Sequence, residues 1–441
     1  MSPSASSLSP ESPAPHPLTI PRYRSYLFAR FVTVIAQNGM MLVVAWQAYN
    51  IARQTMGPQG AAAQLGLIGL VQFLPLFFLT PVSGWVADHF DRRKIIRFTL
   101  LALITGISLL AFATYEGWIS LPLIFLLAAL VGVARAFNGP ALSALAPNLV
   151  PREVLPNAIA VSSVVWQAGA IIGPATGGYM YAIAPWLAYA TSATLLSLAL
   201  TAMMTIGPVP QPPRNTSRSP IAQMIDGLAY VRRNRLVQAA ITLDLFAVLL
   251  AGATALLPVY ARDILHVGSR GLGHLASAPA IGAGITALFF SFRPLRTDVG
   301  VKMLASVVIF GLATITFGCT AFLPAPYAMW TALGAMAVWG SADMFSVYVR
   351  SSLIQLHTPD DMRGRVSSVS QLTISASNEL GEAESGFMAA LIGPVAAVIA
   401  GGAGAIIITL IWARLYPELK QARTFDPPDH RAADIQQETV R

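Results

Sequence analysis

The feature that most constrains this chain is a series of apolar runs, each about 20 residues long, that recurs from one end to the other. A helix of that length crosses the hydrocarbon core of a bilayer. Stretches such as 121–133 and 396–412 lack the alternation of a membrane β-strand. With 55% hydrophobic and 11% charged residues, the 441-residue chain has too little polar surface for a soluble globule. The sequence therefore predicts an all-α protein in contact with a lipid bilayer.

The runs predict twelve transmembrane helices in two sets of six. The first set spans residues 26–50, 63–87, 95–115, 119–142, 158–182 and 186–206, and the second spans 236–260, 271–292, 302–321, 327–349, 366–391 and 396–412. The predicted domains are a disordered cytoplasmic tail at 1–22, an N-terminal bundle at 23–207, a cytoplasmic linker at 208–235, a C-terminal bundle at 236–416 and a cytoplasmic tail at 417–441.

Lysine and arginine are concentrated in the tails, the linker and the even-numbered loops. Because these residues favour the cytoplasmic side, we expect both termini in the cytoplasm of a bacterium and the chain in its inner membrane. Their spread over many short loops argues against a nucleic-acid interface. The histidines lack metal-ligand spacing, and the chain has neither a phosphate-binding loop nor a nucleophile and base arrangement. The sequence predicts no metal, no cofactor, no ATP-driven step and no enzyme.

Residues near the predicted fourth and fifth helices recur 208 positions later. Gly173 corresponds to Gly381, and Gly178 to Gly386, with the chain running in the same direction. Two related halves in parallel order are one of the known architectures of secondary transporters. The pattern predicts two six-helix bundles related by a parallel repeat.

Residues 84–94, between the second and third predicted helices, read GWVADHFDRRK. The segment resembles the loop signature of the major facilitator superfamily. Its matching positions are Gly84, Asp88, Arg92 and Arg93. The resemblance implies a cytoplasmic gate, in which Gly84 allows close helix approach and Asp88 holds a helix N-terminus or an arginine. His89 and Asp91 depart from the signature, which leaves the form of the turn open, and an ordinary positively charged loop is the alternative.

The predicted fifth helix contains GAIIGPATGG at residues 169–178. This segment resembles the antiporter signature of the same superfamily, and the resemblance implies export. Its marked positions are Gly169, Gly173, Pro174, Gly177 and Gly178. Small residues let helices touch, and Pro174 removes one backbone donor, so we expect a packed hinge. Ordinary tight packing is the alternative.

Three segments of the second half resemble one branch of the superfamily, which contains enterobactin (siderophore) exporters and macrolide-efflux proteins. They read LDLFAV at 243–248, TPDDMRGR at 358–365 and SNELGE at 377–382. The resemblance implies a monomeric, proton-coupled exporter of amphipathic small molecules, such as drugs or a siderophore-like metabolite, that works by alternating access. It does not name the substrate. A nutrient symporter and a polytopic sensor that does not transport remain as alternatives.

Four charged residues lie within predicted helices that line the cavity of this architecture: Arg30, Arg135, Asp244 and Asp343. Each costs about 2.5–3.5 kcal/mol on insertion scales, so such residues are functional candidates. Since 135 plus 208 is 343, we expect the two arginines to pair with the two aspartates when the cytoplasmic side closes, and protonation to weaken the pairs. The alternative is that the arginines reach the interface and the acids pair within their own half.

Glu379 and Glu382 lie three residues apart near the middle of the eleventh predicted helix, hence on one face. Two such carboxylates in a low dielectric do not readily ionise together, so we expect one of them to hold a proton near neutral pH. This suits a proton-coupled exchanger. The alternatives are binding of a cationic substrate and hydrogen bonding with Asn378, Ser375 or Ser377.

Uncharged polar residues are scattered through the first half. They either contact substrate or, more commonly, join helices by hydrogen bonds. They are Gln37, Asn38, Gln47, Gln72, Asn138 and Gln167.

Overall fold

A computed structural model of the chain describes residues 16–209 and 220–426, and these ranges are almost entirely helical. Within them, twelve long helices run back and forth. They are α1 (Pro21–Thr55), α2 (Pro58–His89), α3 (Arg92–Tyr115), α4 (Leu121–Leu145), α5 (Leu155–Ile183), α6 (Pro185–Met204), α7 (Arg235–Leu250), α8 (Gly268–Phe292), α9 (Val299–Cys319), α10 (Ala325–Leu356), α11 (Arg363–Ile392) and α12 (Pro394–Leu415). Below, the end at which α1 begins is the near end, and the opposite end is the far end.

In the described ranges, eleven helical segments are long and apolar enough to cross a membrane. The helix outside this group is α11, whose 30 residues are long enough but include Glu379, Glu382 and Glu384. Its polar side chains need shielding from lipid. α11 obtains it by packing against α2 of the first bundle and α7 of the second.

The predicted linker at 208–235 contains a helix, Pro220–Arg233, that packs on α11. Tyr230 of this linker helix donates a hydrogen bond of 2.6 Å to the carbonyl oxygen of His357. The rest of the predicted linker at 210–219 lies outside the described residues, as do 1–15 and 427–441 of the predicted tails.

Helix contacts repeat after a shift of six helices. In the first bundle α1 packs on α5 and α6, and α2 packs on α4; in the second, α7 packs on α11 and α12, and α8 packs on α10. The bundles meet where α5 contacts α8 and where α11 contacts α2. These two contacts between the bundles are called the seams. A shift of six helices converts the α5–α8 seam into the α11–α2 seam, so the parallel-repeat fold expected from the sequence is confirmed.

One pair of repeat-related glycines packs helices within each bundle. A Cβ atom on Gly173 of α5 would lie 2.8 Å from the carbonyl oxygen of Ile35 on α1. A Cβ atom on Gly381 of α11 would lie 2.8 Å from the carbonyl oxygen of Val248 on α7. Only glycine allows these helix backbones to approach so closely.

The second pair packs helices across the bundles. A Cβ atom on Gly178 would lie 2.4 Å from the carbonyl oxygen of Ser269 on α8. A Cβ atom on Gly386 would lie 2.4 Å from the backbone nitrogen of Gly66 on α2. The two glycine pairs therefore have equivalent positions in the fold as well as in the sequence.

The seventh span is interrupted, contrary to the uninterrupted helix predicted at 236–260. α7 ends at Leu250, and short 3₁₀, α and π turns continue the span to Ile264. A Cβ atom on Gly252 would lie 2.4 Å from a backbone oxygen of α11, and Pro258 has no N–H to continue the ladder. Close packing and a missing donor together break the helix.

A buried ion pair joins α7 to α10 inside the second bundle. A guanidinium nitrogen of Arg350 contacts a carboxylate oxygen of Asp244, and the two side chains are 3% and 6% exposed. In this structure Asp244 is therefore not paired with an arginine of the first bundle, which is the pairing expected for a closed cytoplasmic side. The alternative, pairing within its own half, is correct for this acid, because α10 brings Arg350 to it.

Gly177→Val tests the packing of α1 on α5. A Cβ atom at this position would lie 2.5 Å from the carbonyl oxygen of Gly39, so we expect overpacking to cost about 1–3 kcal/mol and to lower the midpoint of thermal unfolding. Gly334→Val on α10 is the matched control, because no described atom lies within 4 Å of a Cβ atom there. Equal midpoints for the two variants would contradict this packing.

Arg350→Gln tests the buried pair. The change leaves the Asp244 carboxylate buried without its cation, so we expect a loss of about 3–5 kcal/mol in the free energy of unfolding. Arg363→Gln is the control, since its partner Asp360 is 86% exposed and such a pair contributes about 0–1 kcal/mol. Unfolding midpoints of the purified variants measure the difference, and adding Asp244→Asn to Arg350→Gln should recover part of the loss.

Candidate functional site

An ion pair joins the two bundles near the middle of α11. Arg135 of α4 donates a hydrogen bond to a carboxylate oxygen of Glu379 on α11. The glutamate side chain is only 5% exposed, whereas the arginine side chain is 41% exposed. A buried carboxylate depends on such a partner, because burial without a cation is costly.

Arg135 does not contact Asp343 in this structure, so the pair expected when the cytoplasmic side closes is not formed here. α11, rather than α10, is the helix of the second bundle that packs on α2, and α2 packs on α4. A charge on α4 therefore meets α11. Asp343 has no hydrogen bond or ion pair with any other described residue.

Arg30 does not form its predicted ion pair either. Its contact within the described ranges is a hydrogen bond of 3.4 Å to the hydroxyl oxygen of Tyr26, one turn earlier on α1. Of the two arginines that the sequence analysis expected to pair across the bundles, Arg135 therefore does so and Arg30 does not.

The second acid of α11 lines a cavity. Glu382 borders a space of about 200 Å³ between the bundles, together with Asn38 of α1 and Pro174 of α5. It forms no hydrogen bond or ion pair with another described residue. The structure thus brings both acids to the α2-facing side of α11, where a Cβ atom on Gly69 would lie 3.0 Å from the Glu379 carbonyl oxygen and from the Glu382 Cβ atom.

The antiporter-like segment of α5 packs against both bundles. A Cβ atom on Gly169 would lie 2.8 Å from a methyl group of Val34 on α1. Across the seam, a Cβ atom on Gly273 of α8 would lie 2.9 Å from the carbonyl oxygen of Pro174, and Ser277 donates a hydrogen bond of 2.7 Å to a backbone oxygen of α5. Tight packing, the stated alternative, is present, and Pro174 also borders the cavity.

Asp91 caps the N-terminus of α3 in the turn that precedes this helix. The carboxylate of Asp91 accepts a hydrogen bond of 2.9 Å from the backbone N–H of Arg93 and pairs with its guanidinium at 2.6 Å. Burial raises the pKa of Asp91, but these interactions outweigh it and hold the pKa below its ordinary value. An N-cap therefore takes the place of the glycine of the loop signature.

The other residues of the loop signature have different environments: one links helices of the first bundle, and the side chain of another lies outside the described part. Arg93 also donates to the carbonyl oxygen of Ile206 at 3.1 Å, which ties α3 to the end of α6. Among the described atoms, none lies within 4 Å of a Cβ atom on Gly84, so the close helix approach predicted there stays a prediction. The side chain of Asp88 lies outside the described part, and Arg92 has a contact partner.

Two of the scattered polar residues join helices. Gln47 accepts a hydrogen bond of 2.5 Å from the Tyr189 hydroxyl and donates one of 3.3 Å to Thr114. Gln167 of α5 donates to the carbonyl oxygen of Ala280 on α8, across the seam. Gln47 and Gln167 therefore join helices by hydrogen bonds, which is the commoner of the two predicted roles.

A polar cluster that the sequence did not predict lies at the far end and consists of Tyr49, Asn50, Arg53, Arg262 and Asp263. The Tyr49 hydroxyl donates to the Asp263 carboxylate at 2.5 Å, and Arg53 pairs with the same oxygen at 2.9 Å. Arg262 donates to the Asn50 side chain at 2.7 Å. This far-end cluster holds α1 to the end of the seventh span. The one signal in the sequence was an acid beside an arginine in a loop otherwise poor in charge.

Arg350 was missed for a different reason. The predicted tenth helix stopped at Val349, so the next residue counted as loop, whereas α10 continues to Leu356. A polar stretch at the end of a long apolar run hides the last turns of such a helix.

The chain resembles known transporters in sequence and in fold. The family model of the Major Facilitator Superfamily matches residues 26–382. The enterobactin exporter EntS of Escherichia coli O1:K1 / APEC is 27% identical over 423 residues, which cover 94% of this chain and 96% of that protein.

Solved structures of transporters have the same fold. The nucleoside transporter NupG aligns with a TM-score of 0.71 at 12% identity, over 90% of this chain and 99% of that one. A D-xylose-proton symporter aligns with a TM-score of 0.66 at 15% identity, over 91% and 98%. With the family model matched over most of the chain and the twofold bundle architecture in place, the protein is a multi-pass membrane protein that belongs to the Major Facilitator Superfamily of small-molecule transporters.

Proposed function

We propose that the protein is a proton-coupled exporter of amphipathic small molecules, working as a monomer in the bacterial inner membrane with both termini in the cytoplasm. The observation that carries the proposal is the arrangement of two acids on α11. Glu379 is held by Arg135 of the other bundle, while Glu382 faces the cavity between the bundles. One acid thus links the moving parts, and its neighbour is accessible to a proton and a substrate.

Proton binding changes the link between the bundles. A protonated Glu379 no longer offers Arg135 a full negative charge, so the pair weakens and the bundles separate more easily at α4 and α11. Glu382, three residues further on, takes up the proton from the cavity; while it is unprotonated, its negative charge repels that of Glu379, so the two acids do not readily ionise together. Proton and substrate therefore occupy the site in alternation, as antiport requires.

The export direction is supported by resemblance. The α5 segment resembles the antiporter signature, and the similar protein EntS is an enterobactin exporter. The fold itself does not favour export, because structures of the same fold include a D-xylose-proton symporter. The cavity supports an amphipathic cargo, because apolar residues such as Met41, Leu65 and Leu272 surround its few polar groups. Drugs and siderophore-like metabolites both fit this description.

Everted membrane vesicles with an acidic interior test direction. A proton antiporter that exports from the cell accumulates its substrate inside such vesicles, whereas a nutrient symporter does not. Erythromycin, ethidium and 2,3-dihydroxybenzoate are suitable probes, since they sample drug-like and catecholate chemistry. Accumulation of any of them that collapses when the pH gradient is dissipated supports the proposal. Accumulation only in right-side-out vesicles with an acidic exterior would contradict it.

Glu379→Gln and Glu382→Gln test proton coupling. Each replaces a titratable carboxyl by an amide of the same shape, so we expect at least one to reduce substrate-driven proton release by about tenfold or more, equivalent to about 1.4 kcal/mol of barrier. Glu384→Gln is the control, because this carboxylate contacts the neighbouring Ser385 instead of Arg135. Proton release from vesicles is followed with a pH-sensitive dye. Undiminished coupling in both variants would place the coupling elsewhere.

A charge swap tests the link between the bundles. We expect Arg135→Glu and Glu379→Arg each to abolish transport, since each brings like charges together, and the double variant to restore a measurable part of it. The swap of Arg135→Asp with Asp343→Arg is the control and should restore nothing, because these two residues do not pair. Rescue by the control swap alone would overturn the assignment.

A further inference from the structure

A second cavity, of about 140 Å³, lies inside the first bundle. Its polar lining comes from Arg30, Thr33 and Gln37 on α1 and from Asn138 on α4. Trp166 of α5 contributes an indole, and apolar side chains of α3 and α6 complete the lining. The lining therefore combines one cation, two amides and one flat aromatic surface.

Among the residues that the structure describes, two polar groups of this lining have no hydrogen-bond partner. The Nε atom of Arg30 is buried without a hydrogen bond, and the guanidinium otherwise reaches only the Tyr26 hydroxyl, at 3.4 Å. Asn138 is 5% exposed, and its Oδ1 atom has no hydrogen-bond partner. Buried polar groups are nearly always paired in folded proteins, so unpaired ones beside a cavity point to a bound molecule.

The charge of the cavity is not balanced. Arg135, the other arginine of the first bundle that faces the centre, is neutralised by Glu379. Arg30 has no acid within ion-pair distance in the described ranges. A cation left uncompensated in a region of low dielectric favours an anionic ligand, and a guanidinium matches the geometry of a carboxylate.

The walls restrict which carboxylate fits. Trp166, Ile96 and Leu100 present flat and apolar surfaces around the polar groups. A carboxylate attached to an aromatic ring satisfies Arg30 at one end and these surfaces at the other. The unpaired Oδ1 atom of Asn138 is a hydrogen-bond acceptor, and a hydroxyl substituent on the ring would donate to it.

We propose that this cavity is the subsite for an aromatic carboxylate group of the transported molecule, with Arg30 as its charge partner. The assignment rests on the proposed transport function and adds the chemical class of one end of the substrate. Arg30 lies in the near third of α1, so an exporter that loads its substrate from the cytoplasm meets this subsite early.

Benzoate and its neutral counterpart benzamide test the proposal. We expect purified full-length protein to bind benzoate about tenfold more tightly than benzamide, a difference of about 1.4 kcal/mol, in titration calorimetry. Arg30→Gln should abolish the preference, and Arg30→Lys should retain part of it. Arg24→Gln is the matched control on the same helix and should leave the preference unchanged, because Arg24 is exposed and does not line the cavity.

A second variant keeps the test decisive if Arg30→Gln fails to fold. We expect the unaltered protein to bind salicylate, which adds a hydroxyl next to the carboxylate, more tightly than benzoate. Asn138→Leu keeps the branched shape of the side chain but removes the acceptor, so this variant should lose the difference. Equal binding of benzoate and benzamide by the unaltered protein would overturn the proposal. So would an unchanged preference in a folded Arg30→Gln variant, or an unchanged salicylate advantage in Asn138→Leu.

The binding test is independent of the transport test. Calorimetry in detergent involves no gradient, so an aromatic-carboxylate preference without proton-coupled accumulation would overturn only the transport mechanism. Proton-coupled accumulation of erythromycin, ethidium or 2,3-dihydroxybenzoate, without a preference for benzoate over benzamide, would overturn only the subsite.

Discussion

Backbone contact between glycine-bearing helices is the constraint on which the rest of the structure depends. In lipid there is no hydrophobic drive between helices, so close packing must supply the attraction. The glycines of α5 and α11 contact one helix of their own bundle and one of the other, at distances that exclude any side chain. Gly173 and Gly381 make the contacts within bundles, and Gly178 and Gly386 make those across them. The cavities, the acids and the ion pairs all take their positions from these four helix crossings.

The two halves repeat the packing but not the chemistry. Subtracting 208 from Glu379 and Glu382 gives Ile171 and Pro174, two residues of the antiporter-like segment. Pro174 borders the same cavity as Glu382, so the equivalent helices line one space from opposite sides. One side is an apolar surface that contains a proline, and the other carries titratable groups. The fold thus holds a polar helix that lipid would not tolerate, and it confines the charge to the protein interior.

The sequence predicted the helices and the repeat symmetry, which depend on periodicity. It did not predict which charged residues contact one another. Apolar runs indicated the helices, and the repeated glycines indicated the symmetry, because both patterns depend on local spacing. The repeat did not predict Glu379 as the partner of Arg135, because it relates equivalent positions, and equivalence does not imply proximity. Asp263 was missed because a single acid at a helix end has no pattern of its own. Such choices depend on which helices cross, which only the three-dimensional fold decides.

Rigid packing within the first bundle connects events at its two ends. The contact of Gly39 with Gly177 fixes α1 on α5. Arg30 near one end of α1 and Tyr49 near the other are about 28 Å apart at 1.5 Å per residue, so they move as parts of one body. The cross-bundle glycines Gly178 and Gly386 lie in the far thirds of their helices. In the proposed transport cycle, rocking about these seams that separates Tyr49 from Asp263 would carry Arg30 and the near end toward the second bundle.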